Sequence, residues 1–130
     1  MISYNARDLV KIITKPKKED TFYMSYTDYF DLLYQVKPAA AINLLFYICS
    51  NMEYNTNTIS LPAAKRKELC TKLAISNNCV TNYLKALKDA KIIHGSSGQF
   101  MVNPYLFWKG DSITRQKILG LETTKKNFSL

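Results

Sequence analysis

Histidine is nearly absent from these 130 residues. His94 is the single one, and the three cysteines, Cys49, Cys70 and Cys79, are spaced too widely to complete a zinc set with it. No metal site is expected. The cysteines are odd in number and each falls in an apolar helical context, so they read as reduced core thiols rather than a disulfide framework. Glycine is scarce too: four residues, at 95, 98, 110 and 120, none in a Gly-Lys-Ser/Thr run. That excludes a glycine-rich phosphate loop, and no cofactor is expected. No apolar run approaches the length that crosses a bilayer, and residues 1–20 hold no apolar core of a secretory signal. The expectation is a cytoplasmic protein without a membrane partner.

Negative charge is the other shortage. Ten Asp and Glu stand against eighteen Lys and Arg, for a net charge of +8. The excess is local. Residues 62–95 carry Lys65, Arg66, Lys67, Lys72, Lys85, Lys88 and Lys91 against only Glu68 and Asp89. Residues 27–61 carry Lys37 against Asp28, Asp31 and Glu53. Concentrated positive charge of this kind is the electrostatic footprint of a nucleic-acid partner. An anionic membrane would want a basic helix with a bulky apolar face, and none is present.

The basic segment also has the clearest pattern. Leu69, Leu73 and Ile75 give a first helix its apolar side. Ser76 stands where an N-cap belongs, and Val80, Tyr83, Leu84, Leu87 and Ala90 then repeat at the spacing of one helical face. Helices are expected over residues 62–74 and 77–90. Ile92 and Ile93, a turn at 95–98 and the run Phe100, Met101 and Val102 predict a hairpin. Helix, turn, helix, hairpin is the order of a winged helix-turn-helix, so the fold class expected is mainly α with a small antiparallel β element. The polar face of the second helix offers Asn77, Asn78, Thr81, Asn82 and Lys85 as candidate base contacts. Lys65, Arg66, Lys67, Lys72, Lys88 and Lys91 are the candidate phosphate contacts, which position without specifying. The same two helices and hairpin would serve equally as a packed core or a protein-binding module.

Around this segment the chain divides into an N-terminal arm at 1–20, a domain at 21–119 and a tail at 120–130. Residues 9–13 read as a short strand and 15–20 as a charged linker broken by Pro16. Phe22, Met24 and Tyr26 alternate as in a strand, and Thr27 or Asp28 would cap a short helix reaching Val36. Residues 38–52 form the apolar spine, a helix hydrophobic on most sides and therefore buried on most sides. Its outer face suggests a homodimer, with two reading helices about one DNA turn apart, ~34–36 Å. Ile59, Ser60 and Leu61 form a strand for the hairpin to pair with. Tyr105, Leu106, Phe107 and Trp108 pack against the core, Ser112 caps a short helix, and the last ten residues fray.

The run Gly98, Gln99, Phe100, Met101, Val102, Asn103, Pro104 and Tyr105 is followed by Phe107, Trp108, Lys109, Gly110, Asp111 and Arg115. It resembles the C-terminal signature of the RepL plasmid replication proteins, and the likeness extends over residues 20–119. The resemblance implies a sequence-specific DNA-binding protein of plasmid replication or maintenance, bound to double-stranded DNA at an origin and recruiting host replication proteins. A winged-helix transcriptional or copy-number repressor, acting at a promoter, is the alternative, and a protein adaptor is a third reading. Two positions depart from the common pattern. Lys91 stands where a glycine often ends the reading helix, which predicts a differently shaped cap. Residues 94–99 hold no Arg or Lys, which argues against minor-groove reading by the hairpin. A nicking initiator would need a tyrosine nucleophile with a histidine-held metal. Nine tyrosines but one histidine predict binding without catalysis, and Tyr83 reads as core.

Overall fold

The alternation of Phe22, Met24 and Tyr26 does produce a strand, shorter than the pattern suggests: β1 (Met24–Ser25). The computed structural model describes residues 5–7 and 21–128, so the strand expected at 9–13 and the linker at 15–20 lie outside the described residues. A 3-10 turn at Thr27–Tyr29 and α1 (Asp31–Tyr34) come next, and neither receives the side-chain cap expected of Thr27 or Asp28. The spine follows as α2 (Ala41–Asn51). It begins later than Pro38 because the amides of Ala41, Ile42 and Asn43 donate three residues back, to Pro38, Ala39 and Ala40, which makes the entry a tighter 3-10-like turn. Ala41, Leu44, Leu45, Ile48 and Cys49 are fully buried. Each large apolar side chain hidden this way contributes about 1.5–3 kcal/mol. The chain itself covers most of the spine, and the apolar surface that suggested a dimer is left to Phe46, 49% exposed, and the half-buried Ile42 and Tyr47.

Downstream, β2 (Thr58–Ser60) leads to α3 (Ala63–Leu73), which starts behind an extended Pro62 and packs against α4 (Asn77–Asp89). Both helices match their expected ranges to within about a residue. Neither ends on glycine. Ala74 and Lys91 take left-handed backbone, with φ of 54° and 63°, and the amides of Ile75 and Ile92 reach back to the carbonyls of Cys70 and Leu87. That is a Schellman ending on each helix. The left-handed conformation costs an ordinary residue about 1 kcal/mol, which burial of Ile92 offsets at the second site. Lys91 therefore forms the usual cap geometry without the usual glycine.

The hairpin is β3 (Ile93–Ser96) and β4 (Gln99–Val102), and β2 adds to it in the order β2-β4-β3, antiparallel throughout. Its turn is tighter than residues 95–98. Only Ser97 and Gly98 loop out, both with positive φ, as a two-residue type I′ turn requires. Gly95 lies inside β3 instead, where a Cβ would overlap the Gln99 carbonyl oxygen. β5 (Phe107–Trp108) then pairs with β1, Met24 opposite Trp108 and Ser25 opposite Phe107, and Leu106, Phe107 and Trp108 are buried as expected.

Two expectations for the C-terminal part need correction. The cap of α5 (Ser112–Leu119) is Asp111, not Ser112: its Oδ1 accepts from the Thr114 amide at 2.7 Å. The last residues form α6 (Glu122–Asn127) rather than fraying, because Thr124 and Phe128 are buried. Phe128 meets the His94 ring edge-on at 6.1 Å, which ties this helix to the hairpin. The result is a mainly α fold with a small antiparallel β element. Among the described residues no helix is long and apolar enough to cross a membrane, and no group of His, Cys, Asp and Glu is arranged to hold a metal ion.

Candidate nucleic-acid interface

The amphipathic spacing of α4 decides what it shows to solvent. Val80, Leu84 and Leu87 are buried, with Tyr83 and Ala86 half-buried beside them. Asn77, Asn78, Thr81, Asn82, Lys85 and Lys88 are all exposed. At 3.6 residues per turn these six occupy about 140° of the helix circumference. The five candidate base contacts thus share one outward face, with Lys88 on the same side and Lys91 exposed just beyond the helix end. Ser76 caps the helix as expected, its hydroxyl accepting from the Cys79 amide at 3.1 Å. The asparagines therefore have no capping duty.

The candidate phosphate contacts on α3 do not stay together. Lys67 is exposed beside a groove of about 510 Å³ that also touches Ile75, Ser76 and Asn77 at the start of α4. Lys72 leans the other way, with its ammonium 5.9 Å from the centre of the Tyr47 ring on α2. Lys65 stands 4.0 Å from Glu68, both largely exposed, a pairing worth little in water. Arg66 is half-buried and bonded to α4: Nε donates to Asn77 Oδ1 at 3.0 Å, and Nη2 to Thr81 Oγ1 at 2.7 Å and the Asn77 carbonyl at 3.3 Å. At the hairpin tip, Gln99 is turned onto Ser60, Nε2 to Oγ at 2.8 Å.

The cysteines divide as well. All three are free, but only Cys49 is a core thiol, and burial pushes its pKa up to about 12. Cys70 and Cys79 are half-buried. Hydrogen bonding with Ser76 holds the Cys79 thiol below its ordinary value.

Three asparagines matter more to the fold than their polar surroundings suggest. Asn57, with φ of 57°, is fully buried: Nδ2 donates to the carbonyls of Phe107 at 2.7 Å and Val102 at 3.2 Å, and Oδ1 accepts from the Lys109 amide at 3.0 Å. Asn103, also buried, donates to the Lys91 carbonyl at 2.9 Å and accepts from the Tyr105 amide at 2.9 Å, joining the end of α4 to the hairpin exit. Asn55 embraces the Lys109-Gly110-Asp111 turn: its amide donates to the Lys109 carbonyl, and its side chain bonds both the amide and the carboxylate of Asp111. A Cβ at Gly110 would overlap Asn55. Arg115 closes the same region, donating to the Pro104 carbonyl at 2.9 Å and lying 3.7 Å above the Tyr26 ring. The polar groups of this segment serve internal bonds.

Asp111 makes the clasp sensitive to pH. The Thr114 amide, then the Asn55 side chain, hold its carboxyl below the ordinary value. A folded-state pKa below the unfolded one adds stability that is complete above the unfolded value, about 3.9. That contribution disappears as pH falls through the lower folded value. Urea unfolding of wild type and Asp111→Asn between about pH 5 and 2.5 should therefore show the variant losing less stability on acidification. Parallel curves would mean that Asp111 does not titrate with folding.

A family model described as Firmicute plasmid replication protein (RepL) matches residues 10–127. No curated protein and no solved structure matches the chain.

Proposed function

Because the chain belongs to the RepL family of Firmicute plasmid replication proteins, we propose that it acts by binding double-stranded DNA at the plasmid origin and recruiting host replication proteins there. On this reading α3, α4 and the β3-β4 hairpin work as a winged helix-turn-helix, with α4 in the major groove. The observation that carries it is the outward face of α4, where Asn77, Asn78, Thr81, Asn82 and Lys85 stand together beside Lys88, with the buried residues on the opposite side. Lysines give attraction to any phosphate backbone, and carboxamides give the paired donor and acceptor that discriminate base edges. The residues positioned for phosphate are Lys67, Lys88 and Lys91. Lys65 and Lys72 serve the side that faces α2. The protein holds DNA without cutting it, in the cytoplasm, since one histidine is too few for a histidine-held metal beside a tyrosine nucleophile.

Footprinting on the plasmid that carries the gene, with divalent metal present and supercoiled DNA run in parallel, tests this reading. The expected result is protection within the origin and unchanged supercoiling. Protection confined to a promoter would make the protein a repressor. A covalent adduct abolished by one Tyr→Phe change would make it a nicking enzyme.

A further inference from the structure

Arg66 was expected to meet phosphate, yet its guanidinium is committed to the reading face. Arginine has only donors, so the atom of Asn77 that faces Nε at 3.0 Å is its carboxamide oxygen, and the amide orientation follows from chemistry. Nη2 donates to the Thr81 hydroxyl at 2.7 Å, and that hydroxyl in turn donates to the Asn77 backbone carbonyl at 3.3 Å. The fork of one residue on α3 thus holds two of the five outward polar side chains of α4. Asn78 and Asn82 are exposed, and their side-chain carboxamides are engaged by no group among the described residues.

We infer that Arg66 is a positioning residue that sets the base preference of α4 by holding the Asn77 oxygen and leaving its N–H groups to meet the DNA. The inference rests on α4 reading DNA as proposed above. An asparagine recognises adenine by accepting from N6 and donating to N7 at once, which needs both ends of the carboxamide. With one lone pair of its oxygen taken by Arg66, Asn77 keeps a single acceptor site beside two free N–H groups, so donation dominates what it offers a base. It is then matched to a base edge that presents acceptors alone in the major groove, guanine with N7 and O6 above all. Adenine recognition falls to Asn78 and Asn82. Thr81 has one lone pair left and no proton, and its methyl is the remaining recognition surface, suited to the thymine methyl.

Selection from a duplex library randomised over 20 base pairs, followed by binding to the enriched duplex and its single-base variants, separates the possibilities. Asn77→Ala identifies the base pair that Asn77 reads, and wild type should prefer guanine there over adenine by ~5- to 10-fold. Arg66→Lys keeps the charge but cannot reproduce the fork. It should erase that preference at the same base pair, with the salt slope and the thermal midpoint little changed. Arg66→Lys combined with Asn77→Ala should lose no more preference than Asn77→Ala alone. Thr81→Val, which keeps the shape, should leave the guanine preference in place. An adenine preference at the Asn77 position overturns the inference, as does full guanine preference in Arg66→Lys. A lower salt slope with unaltered preference would return Arg66 to the phosphates. If wild type enriches no sequence at all, the DNA-reading function falls and the inference falls with it.

Discussion

Replacing Asn57 by Ala should destabilise the fold by about 3–5 kcal/mol, enough to unfold much of a small domain's population at physiological temperature. Asn57 is one of few buried polar side chains, and its amide and carbonyl make three hydrogen bonds that connect the end of β4, β5 and the turn after it. Truncation removes the partners of the Lys109 amide and the Phe107 carbonyl in a region too dry to replace them, at about 1–3 kcal/mol for each group left unsatisfied. The φ of 57° adds to the loss, since alanine tolerates left-handed backbone less well than asparagine. Asn57→Gly restores the backbone but not the bonds and should recover only about 1 kcal/mol. Urea unfolding followed by circular dichroism measures both. A loss below about 1 kcal/mol for Asn57→Ala would show that the side-chain bonds are not held in solution.

The second large effect is on binding. DNA affinity should fall ~40-fold between 50 and 200 mM salt, because Lys67, Lys88 and Lys91 are exposed on or beside the α4 face. About three phosphate contacts, each contributing ~0.9 to the slope of log affinity against log salt, give a slope near −2.7. Each Lys→Ala change among the three should reduce the slope by ~0.9 and weaken every sequence alike. Lys65→Ala and Lys72→Ala should leave it almost unaltered, since Lys72 lies against Tyr47 and Lys65 borders the groove between α2 and β2. Fluorescence anisotropy with one labelled duplex across a salt series gives the slopes. A flat salt response would mean that the basic face does not meet phosphate.

Much of this was legible in the residues, and the reasons differ from element to element. Val80, Leu84 and Leu87 recur at helical spacing and Ser76 can only be useful as a cap, so α4 was found to within a residue. The family signature was legible too, but its role was not. Lys109, Gly110 and Asp111 looked like an isolated turn, while the partners that give them meaning, Asn55 and Asn57, come from a loop more than fifty residues earlier. Polar loops usually read as solvated, and nothing local distinguishes an asparagine that faces water from one that is buried with its bonds satisfied. The one available signal was the tolerance of asparagine for positive φ, which both residues use. Long-range contact likewise hid the order of the tail: a polar stretch around Phe128 gives no hint that the hairpin supplies a surface for that ring. The division of the basic residues was invisible for a different cause. Arg66, Lys67 and Lys72 are neighbours in sequence, but helical geometry sends Arg66 to α4 and Lys72 to α2.

Substitution of the two asparagines that remain free on α4 tests the central claim most directly. Asn78→Ala and Asn82→Ala, footprinted on origin DNA and titrated against an unrelated duplex of equal length, separate reading from mere attraction. The account predicts unchanged affinity for the unrelated duplex and a loss of ~5- to 100-fold in preference for the origin, the equivalent of one bidentate base contact. Full origin preference in both variants would mean that α4 is not the reading helix.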